Sequence, residues 1–332
     1  MTALEEGALL RESGPSPAIL SVENLKQYFY RKGGRAAPVK AVDGVSFSLL
    51  HGETLGLVGE SGCGKSTLAR SILRIYTPTD GRVLFEGSDI TRLSRRGMRP
   101  YRKKMQMIFQ DPLSSLDPRM TVGEILLEPL AGNRIGGSRA ERLLRAGEIL
   151  GQVGLSRDAL GRYPKEFSGG QCQRIGVARA LITKPGLVVC DEPVSALDLS
   201  IRSQIVNLLL DFQRELGCAY IFITHDLSVL RSVSGRVAVM YLGRIVELCP
   251  GAEISAALHP YTQTLLEAVP ARNPRLARQK NRPPATGEVP DPASPPEGCR
   301  FHPRCRRAMP VCKKTPPETR AIGRNLVCCH LY

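Results

Sequence analysis

Apolar positions along the chain follow two alternating rhythms. Runs of strand length, such as Gly186–Cys190 and Ala219–Ile223, are apolar or nearly so throughout, and segments of helical pattern separate them. A short, continuous apolar run reads as a strand buried on both faces, whereas apolar residues returning every three or four positions read as an amphipathic helix. The pattern predicts core strands over Glu53–Val58, Gln106–Phe109, Leu187–Asp191, Tyr220–Thr224 and Val237–Tyr241. Between Asp111 and Pro185 it turns mostly helical, with amphipathic segments at Val122–Leu130 and Arg139–Val153. That stretch predicts a helical subdomain, about 111–185, inserted between two strands of an α/β core. No apolar stretch approaches the roughly 20 residues that span a bilayer. The first residues carry acids where a signal peptide carries bases. The chain is therefore expected to stay in the cytoplasm without itself crossing a membrane.

Composition adds boundaries to this picture. Residues 1–18 read as a polar tail and 19–256 as the α/β unit. Of 25 prolines, 12 lie between Pro270 and Pro317, so 257–298 reads as an extended linker. Five of the ten cysteines crowd into the last segment, 299–332. In a reducing compartment such a cluster points to a metal site before a disulfide framework. Forty-six Lys and Arg against 31 Asp and Glu give a net charge of +15, which favours anionic partners. The run Thr91–Met107 carries seven of these bases and no acid, and reads as a solvated loop or a surface facing headgroups or a membrane subunit.

The sharpest chemistry is GESGCGKST, Gly59–Thr67, which fits G-x-x-x-x-G-K-S/T between an apolar strand and a predicted helix over Ser66–Ile75. The glycines Gly59, Gly62 and Gly64 let the backbone curl so that its N–H groups, with those of Ser61, Cys63 and Thr67, face phosphate oxygens. The helix N-terminus adds its dipole. Lys65 brings a point charge to the β- and γ-phosphates, and Ser66 a hydroxyl to Mg²⁺. LVVCDEP (Leu187–Pro193) supplies the second half: Asp191 ends an apolar strand where it can hold Mg²⁺, and Glu192 can deprotonate the attacking water.

Further motifs carry a resemblance. FSGGQCQR (Phe167–Arg174), SALD (Ser195–Asp198), Gln110 in MIFQDP and His225 in FITHD resemble, in order and spacing, those of ATP-binding-cassette (ABC) ATPases. The resemblance implies a P-loop NTPase cassette: a RecA-like core, a β-rich N-terminal subdomain and an inserted helical subdomain. It also implies two cassettes paired head to tail, with Ser168, Gly169, Gly170 and Gln171 of one closing on ATP held by the other. Gln110 would sense Mg²⁺ and water, Asp198 would lie in the loop between cassettes, His225 would contact the γ-phosphate, and Phe29 would stack on adenine, with Tyr28 beside it as the alternative.

FQDPLSSLDPRMTVGEILLEPL (Phe109–Leu130), HPYTQTLLEAVP (His259–Pro270) and GCRFHPRC (Gly298–Cys305) narrow the resemblance to dipeptide/oligopeptide/nickel permease ATPases, with F-type subunits nearest. Such a subunit pairs with a second, D-type ATPase beneath two transmembrane permease subunits fed by an extracytoplasmic substrate-binding protein. It would sit peripherally on the cytoplasmic side of the inner membrane. Peptide, nickel, haem and glutathione importers are all compatible. A soluble ABC ATPase acting on nucleic acid is the rival for the positive charge, but no zinc-finger spacing or RNP-like aromatic motif supports it. Cysteine count alone leaves zinc and an iron–sulfur cluster open. The lack of short C-x2-C pairs, together with the family resemblance, implies a 4Fe-4S cluster on Cys299, Cys305, Cys312 and Cys329, with Cys328 as the alternative fourth ligand.

Overall fold

The computed structural model describes residues 18–30, 37–195, 197–268 and 287–332. Residues 1–17 of the expected tail 1–18 and the stretch 269–286 lie outside them. In chain order the strands are β1 (Ala18–Phe29), β2 (Val39–Leu50), β3 (Thr54–Val58), β4 (Asp80–Phe85), β5 (Ser88–Asp89) and β6 (Met105–Ile108). They continue with β7 (Leu187–Asp191), β8 (Ala219–Ile223), β9 (Arg236–Tyr241), β10 (Arg244–Pro250), β11 (Thr319–Ile322) and β12 (Asn325–Cys328).

Two sheets organise the molecule. An antiparallel sheet runs β2-β1-β4-β5, and a larger sheet runs β11-β12-β10-β9-β3-β8-β7-β6. The segment β9-β3-β8-β7-β6 is parallel. Its strands β3, β7 and β8 are buried at every position, as expected where both faces are covered. Strand period two sends alternate residues to opposite cores. Val188, Cys190, Tyr220 and Phe222 join the core that contains the helical segment. Leu187, Val189, Ile221 and Ile223 join the core shared with β1, β2 and β4. The nucleotide-motif strands are thus clamped on two sides.

Between β6 and β7 lie the helices Val122–Gly132, Arg139–Gln152 and Gly169–Leu181. The first two open with capping boxes, Thr121 with Glu124 and Ser138 with Glu141, each pairing two otherwise orphaned N–H groups.

One expectation needs correction. The predicted linker 257–298 contains the helix Pro260–Ala268, with Tyr261 and Thr262 buried. Pro260 stands at the first helical position, where its missing N–H costs nothing, so it opens a helix instead of preventing one. The basic run is exposed at six of its seven bases, in keeping with a solvated loop, and several of these side chains also bind neighbouring carbonyls. Arg102 donates to the carbonyls of Leu73 and Arg74 at 2.9 and 3.0 Å, ending the helix Lys65–Ile72 and its following turn. Arg92 and Arg99 donate to the Thr79 and Gly132 carbonyls, and Lys104 pairs with Glu86.

The last residues return to the core. β12 pairs with β10 through Glu247–Val327 and Leu248–Leu326, so the C-terminal segment widens the main sheet. Phe301 packs among Tyr241, Tyr261 and His259.

Candidate nucleotide site

The loop after β3 is built for close approach. Gly64 has φ +109°, and a Cβ there would meet the Ala41 carbonyl at 2.0 Å; a Cβ on Gly59 would meet the Met240 carbonyl at 2.1 Å. Any other residue would push the loop off the sheet. The helix Lys65–Ile72 follows at once, one residue earlier than the sequence pattern predicts. Lys65 folds back over the loop, its Nζ donating to the carbonyls of Gly59 and Glu60 at 2.8 and 3.0 Å. Its third contact is the Cys63 Sγ at 3.8 Å, and an ammonium held by carbonyls and a thiol can exchange them for phosphate oxygens.

Ser66 Oγ donates to Asp191 Oδ1 at 2.9 Å. Burial pushes the Asp191 carboxyl above the usual carboxylate range, against the pull of that hydrogen bond. A buried carboxylate beside a hydroxyl at the C-terminal edge of a parallel sheet suits a hard divalent cation, so the donor set fits Mg²⁺.

Glu192 adopts φ +48°, a left-handed conformation costing about 1–2 kcal/mol for a residue with a Cβ. Its N–H still donates to the Ile223 carbonyl at 3.0 Å, which continues the ladder while the side chain turns away from the sheet. Gln110 Nε2 donates to Glu192 Oε2 at 3.1 Å, and His225 Nδ1 lies 3.6 Å from the same oxygen. Residues from the ends of β6, β7 and β8 therefore converge on one carboxylate. Strain held by surrounding structure is commonly found where a side chain must be aimed.

The remaining predicted residues lie around this centre. Phe29 is 39% exposed and rests edge-on against Tyr76, leaving a ring surface open. Tyr28 is committed instead: its hydroxyl donates to Asp43. Burial and that carboxylate push Tyr28 up to about 12. Asp198 is the N-cap position of the helix Leu199–Leu216 and is exposed.

The SGGQ segment opens a second helix. Ser168 caps Gly169–Leu181: its hydroxyl accepts from Gln171 N–H, and Gln171 Oε1 accepts from Ser168 N–H at 2.9 Å. Ser168 and Gly169 are exposed, so this helix N-terminus faces outward. The helix packs on the other inserted helices and on β6, whereas the helix Lys65–Ile72 packs on β1, β2, β7 and β8.

Sequence reasoning missed the groups behind the phosphate loop. Glu60 N–H donates to Tyr261 Oη at 2.8 Å, and its carboxylate holds Arg304 through two bonds of 2.7 and 2.9 Å. Arg300 pairs with Asp43, which also holds Tyr28 and Arg244. Apart from Tyr28 and Asp43, these partners are 201 to 257 residues apart, and no local pattern signals them.

All ten cysteines are free thiols. Burial pushes Cys299 up to about 11, and Cys312, Cys329 and Cys305 stand close enough to add to that shift. Cys329 senses Cys305 and Cys312 in turn. Cys328 Sγ donates to the Pro317 carbonyl at 3.1 Å. Among the described residues no three His, Cys, Asp or Glu side chains are grouped to hold one metal ion.

A phosphate loop, a buried acid beside the Mg²⁺ hydroxyl, and a Gln–Glu–His convergence on the same sheet edge define a nucleotide-hydrolysing P-loop cassette. Comparison with known proteins agrees. Residues 42–195 match the ABC transporter family, and residues 246–312 match the oligopeptide/dipeptide transporter C-terminal region. The oligopeptide transport ATP-binding protein AppF of Bacillus subtilis is 50% identical over 321 residues, covering 95% of this chain and 97% of the relative. OppF of Salmonella typhimurium is 49% identical over 318 residues, covering 94% and 95%. Among solved structures, the ADP- and phosphate-bound dimer of the cassette MJ0796 superposes with TM-score 0.64 at 29% identity, covering 70% of this chain and 98% of that one. CbiO1 of Clostridium perfringens gives 0.64 at 27%, covering 79% and 98%. The chain belongs to the ATP-binding subunits of ABC transporters, in the group with the oligopeptide/dipeptide C-terminal region.

Proposed function

We propose that this chain is the ATP-hydrolysing subunit of an importer for oligopeptides or dipeptides. The observation that carries the reading is the meeting of Gln110, Glu192 and His225 beside a phosphate loop, in a chain half-identical to oligopeptide transport subunits over nearly its full length. Lys65 binds the β- and γ-phosphates, Ser66 and Asp191 hold Mg²⁺, and Phe29 stacks on adenine. Bound Mg²⁺ supplies charge neutralisation of the transferring phosphoryl group. Glu192 orients and deprotonates the attacking water. Gln110 holds that water and the metal shell in register, and His225 steadies the γ-phosphate. Gly59, Ser61, Gly62, Cys63, Gly64 and Thr67 complete the cradle.

The outward-facing Ser168, Gly169 and Gln171, with the buried Gly170 between them, serve a partner cassette's ATP, with Asp198 at the seam. ATP then closes the dimer and hydrolysis opens it, which drives alternating access in two membrane permease subunits. The second cassette is a D-type ATPase, and an extracytoplasmic binding protein delivers the peptide. The permease subunits hold the chain at the cytoplasmic face of the inner membrane; among the described residues no helix is long and apolar enough to cross a membrane. Cys299, Cys305, Cys312 and Cys329 of the C-terminal segment would supply the thiolates of a 4Fe-4S cluster, one per iron, on drawing closer together than they stand in this structure.

Membrane fractionation tests the assembly. The chain should sediment with membranes when the permease subunits are expressed and remain in the supernatant when they are deleted. Uptake of labelled dipeptides and oligopeptides should fall in a deletion strain. Undiminished peptide uptake would remove the substrate assignment.

A further inference from the structure

The C-terminal segment reaches the back of the phosphate loop through a specific set of contacts. Glu60 is the second residue of that loop and carries the acid nearest its phosphate-binding N–H groups in sequence. Its carboxylate receives both ends of the Arg304 guanidinium, at 2.7 and 2.9 Å. The Arg304 side chain is 8% exposed and lies over the rings of Tyr241 and Phe301 at 5.9 and 6.0 Å. Glu60 N–H is fixed by Tyr261, whose own ring packs on Tyr241 and Phe301. One aromatic cluster thus sets both the loop backbone and the arginine that neutralises its acid.

The electrostatics give this arrangement a purpose. ATP brings several negative charges to the Gly59–Thr67 loop, and an unpaired carboxylate within that loop repels them. A bidentate guanidinium cancels the charge and also fixes the direction in which the carboxylate points. We propose that Arg304 is a positioning residue of the ATP site, which neutralises Glu60 and holds it away from the phosphates. ATP affinity then depends on the docking of a segment more than 200 residues away in sequence. Arg300, four residues earlier, makes the parallel link to Asp43 and Tyr28, next to Phe29. The segment Gly298–Cys305 therefore supports the site at both its phosphate and adenine ends. This inference rests on reading Gly59–Thr67 as the ATP phosphate loop.

The test is calorimetric binding of Mg-ATP to the full chain, with ATPase kinetics in the assembled transporter. Arg304→Gln leaves Glu60 charged and unpaired, and should weaken ATP binding about 10- to 100-fold, the usual consequence of breaking a charge-assisted pair. The loss should appear in KM for ATP, with kcat nearly unchanged. Adding Glu60→Gln to Arg304→Gln removes the repelling charge and should restore affinity to within about threefold of the parent. A merely structural arginine predicts no such rescue. If Arg304→Gln binds ATP as tightly as the parent, or if the double variant binds as weakly as the single, the proposal is overturned. If Arg304→Gln alone does not fold, Glu60→Gln is compared with the double variant. Equal affinities support the proposal, and a tenfold loss in the double variant overturns it. Lys65→Ala, measured alongside, tests the phosphate-loop reading itself: unchanged ATP binding there would remove that reading, independently of Arg304.

Discussion

Acidification from pH 7 to pH 5 should loosen the docking of the C-terminal segment through one buried histidine. His259 is 1% exposed, its backbone N–H donates to Glu247, and its Nδ1 accepts the Tyr261 N–H at 3.0 Å. An accepting nitrogen requires the neutral ring. Burial lowers the His259 pKa from 6.5 to about 4, outweighing a bond to the Cys328 backbone. Because the folded pKa is depressed, the unfolded chain takes up the proton first. The neutral-ring stability is complete above about pH 6.5 and is lost progressively as pH falls toward 4. At 1.36 kcal/mol per unit, the loss between pH 7 and pH 5 is about 2 kcal/mol. Glu247 works in the opposite direction, since burial raises its carboxyl and favours protonation in the folded state. A difference measurement separates the two. Denaturant unfolding of the parent and of His259→Gln at both pH values should show the parent losing about 2 kcal/mol more. Parallel pH profiles for the two proteins would refute the assignment.

Other perturbations follow from the same geometry. Lys65→Ala should weaken Mg-ATP binding itself by at least tenfold, read by calorimetry, because it removes the only side-chain cation of the loop. Ser168→Ala should leave ATP binding by the isolated chain intact yet lower ATPase activity of the assembled transporter, since its hydroxyl serves a helix N-terminus facing outward. Anaerobically purified protein should be brown with about four irons per chain. Cys329→Ser should lose that iron and Cys328→Ser should keep it, because the Cys328 thiol is turned to Pro317.

The parts of this molecule that depend on local chemistry were legible in the sequence. β3, β7 and β8 are continuous apolar runs, and their observed limits differ from the pattern by a residue or so. The phosphate loop was legible because its glycines, Lys65 and Ser66 are contiguous. Gln110, Glu192 and His225 were different. They are separated by tens of residues and meet only because β6, β7 and β8 are neighbouring parallel strands; Glu192 was legible beside Asp191, whereas resemblance supplied Gln110 and His225. The helix Pro260–Ala268 was missed because the expected linker begins at 257, ahead of the proline-dense stretch from Pro270, and because Pro260 sits at the first helical position, where it does not break a helix. The Glu60–Arg304 and Asp43–Arg300 pairs had no sequence signal, since either acid alone reads as an ordinary solvated side chain.

Glu192, as the base that activates water, is the residue on which ATP hydrolysis turns. Glu192→Gln keeps the size of the side chain and its contact with Gln110, but it cannot accept a proton. In the transporter assembled with its partner cassette and permease subunits, this variant should bind Mg-ATP as the parent does while steady-state hydrolysis falls by about 10²–10⁴-fold. Hydrolysis at the parental rate, with ATP binding intact, would contradict that role.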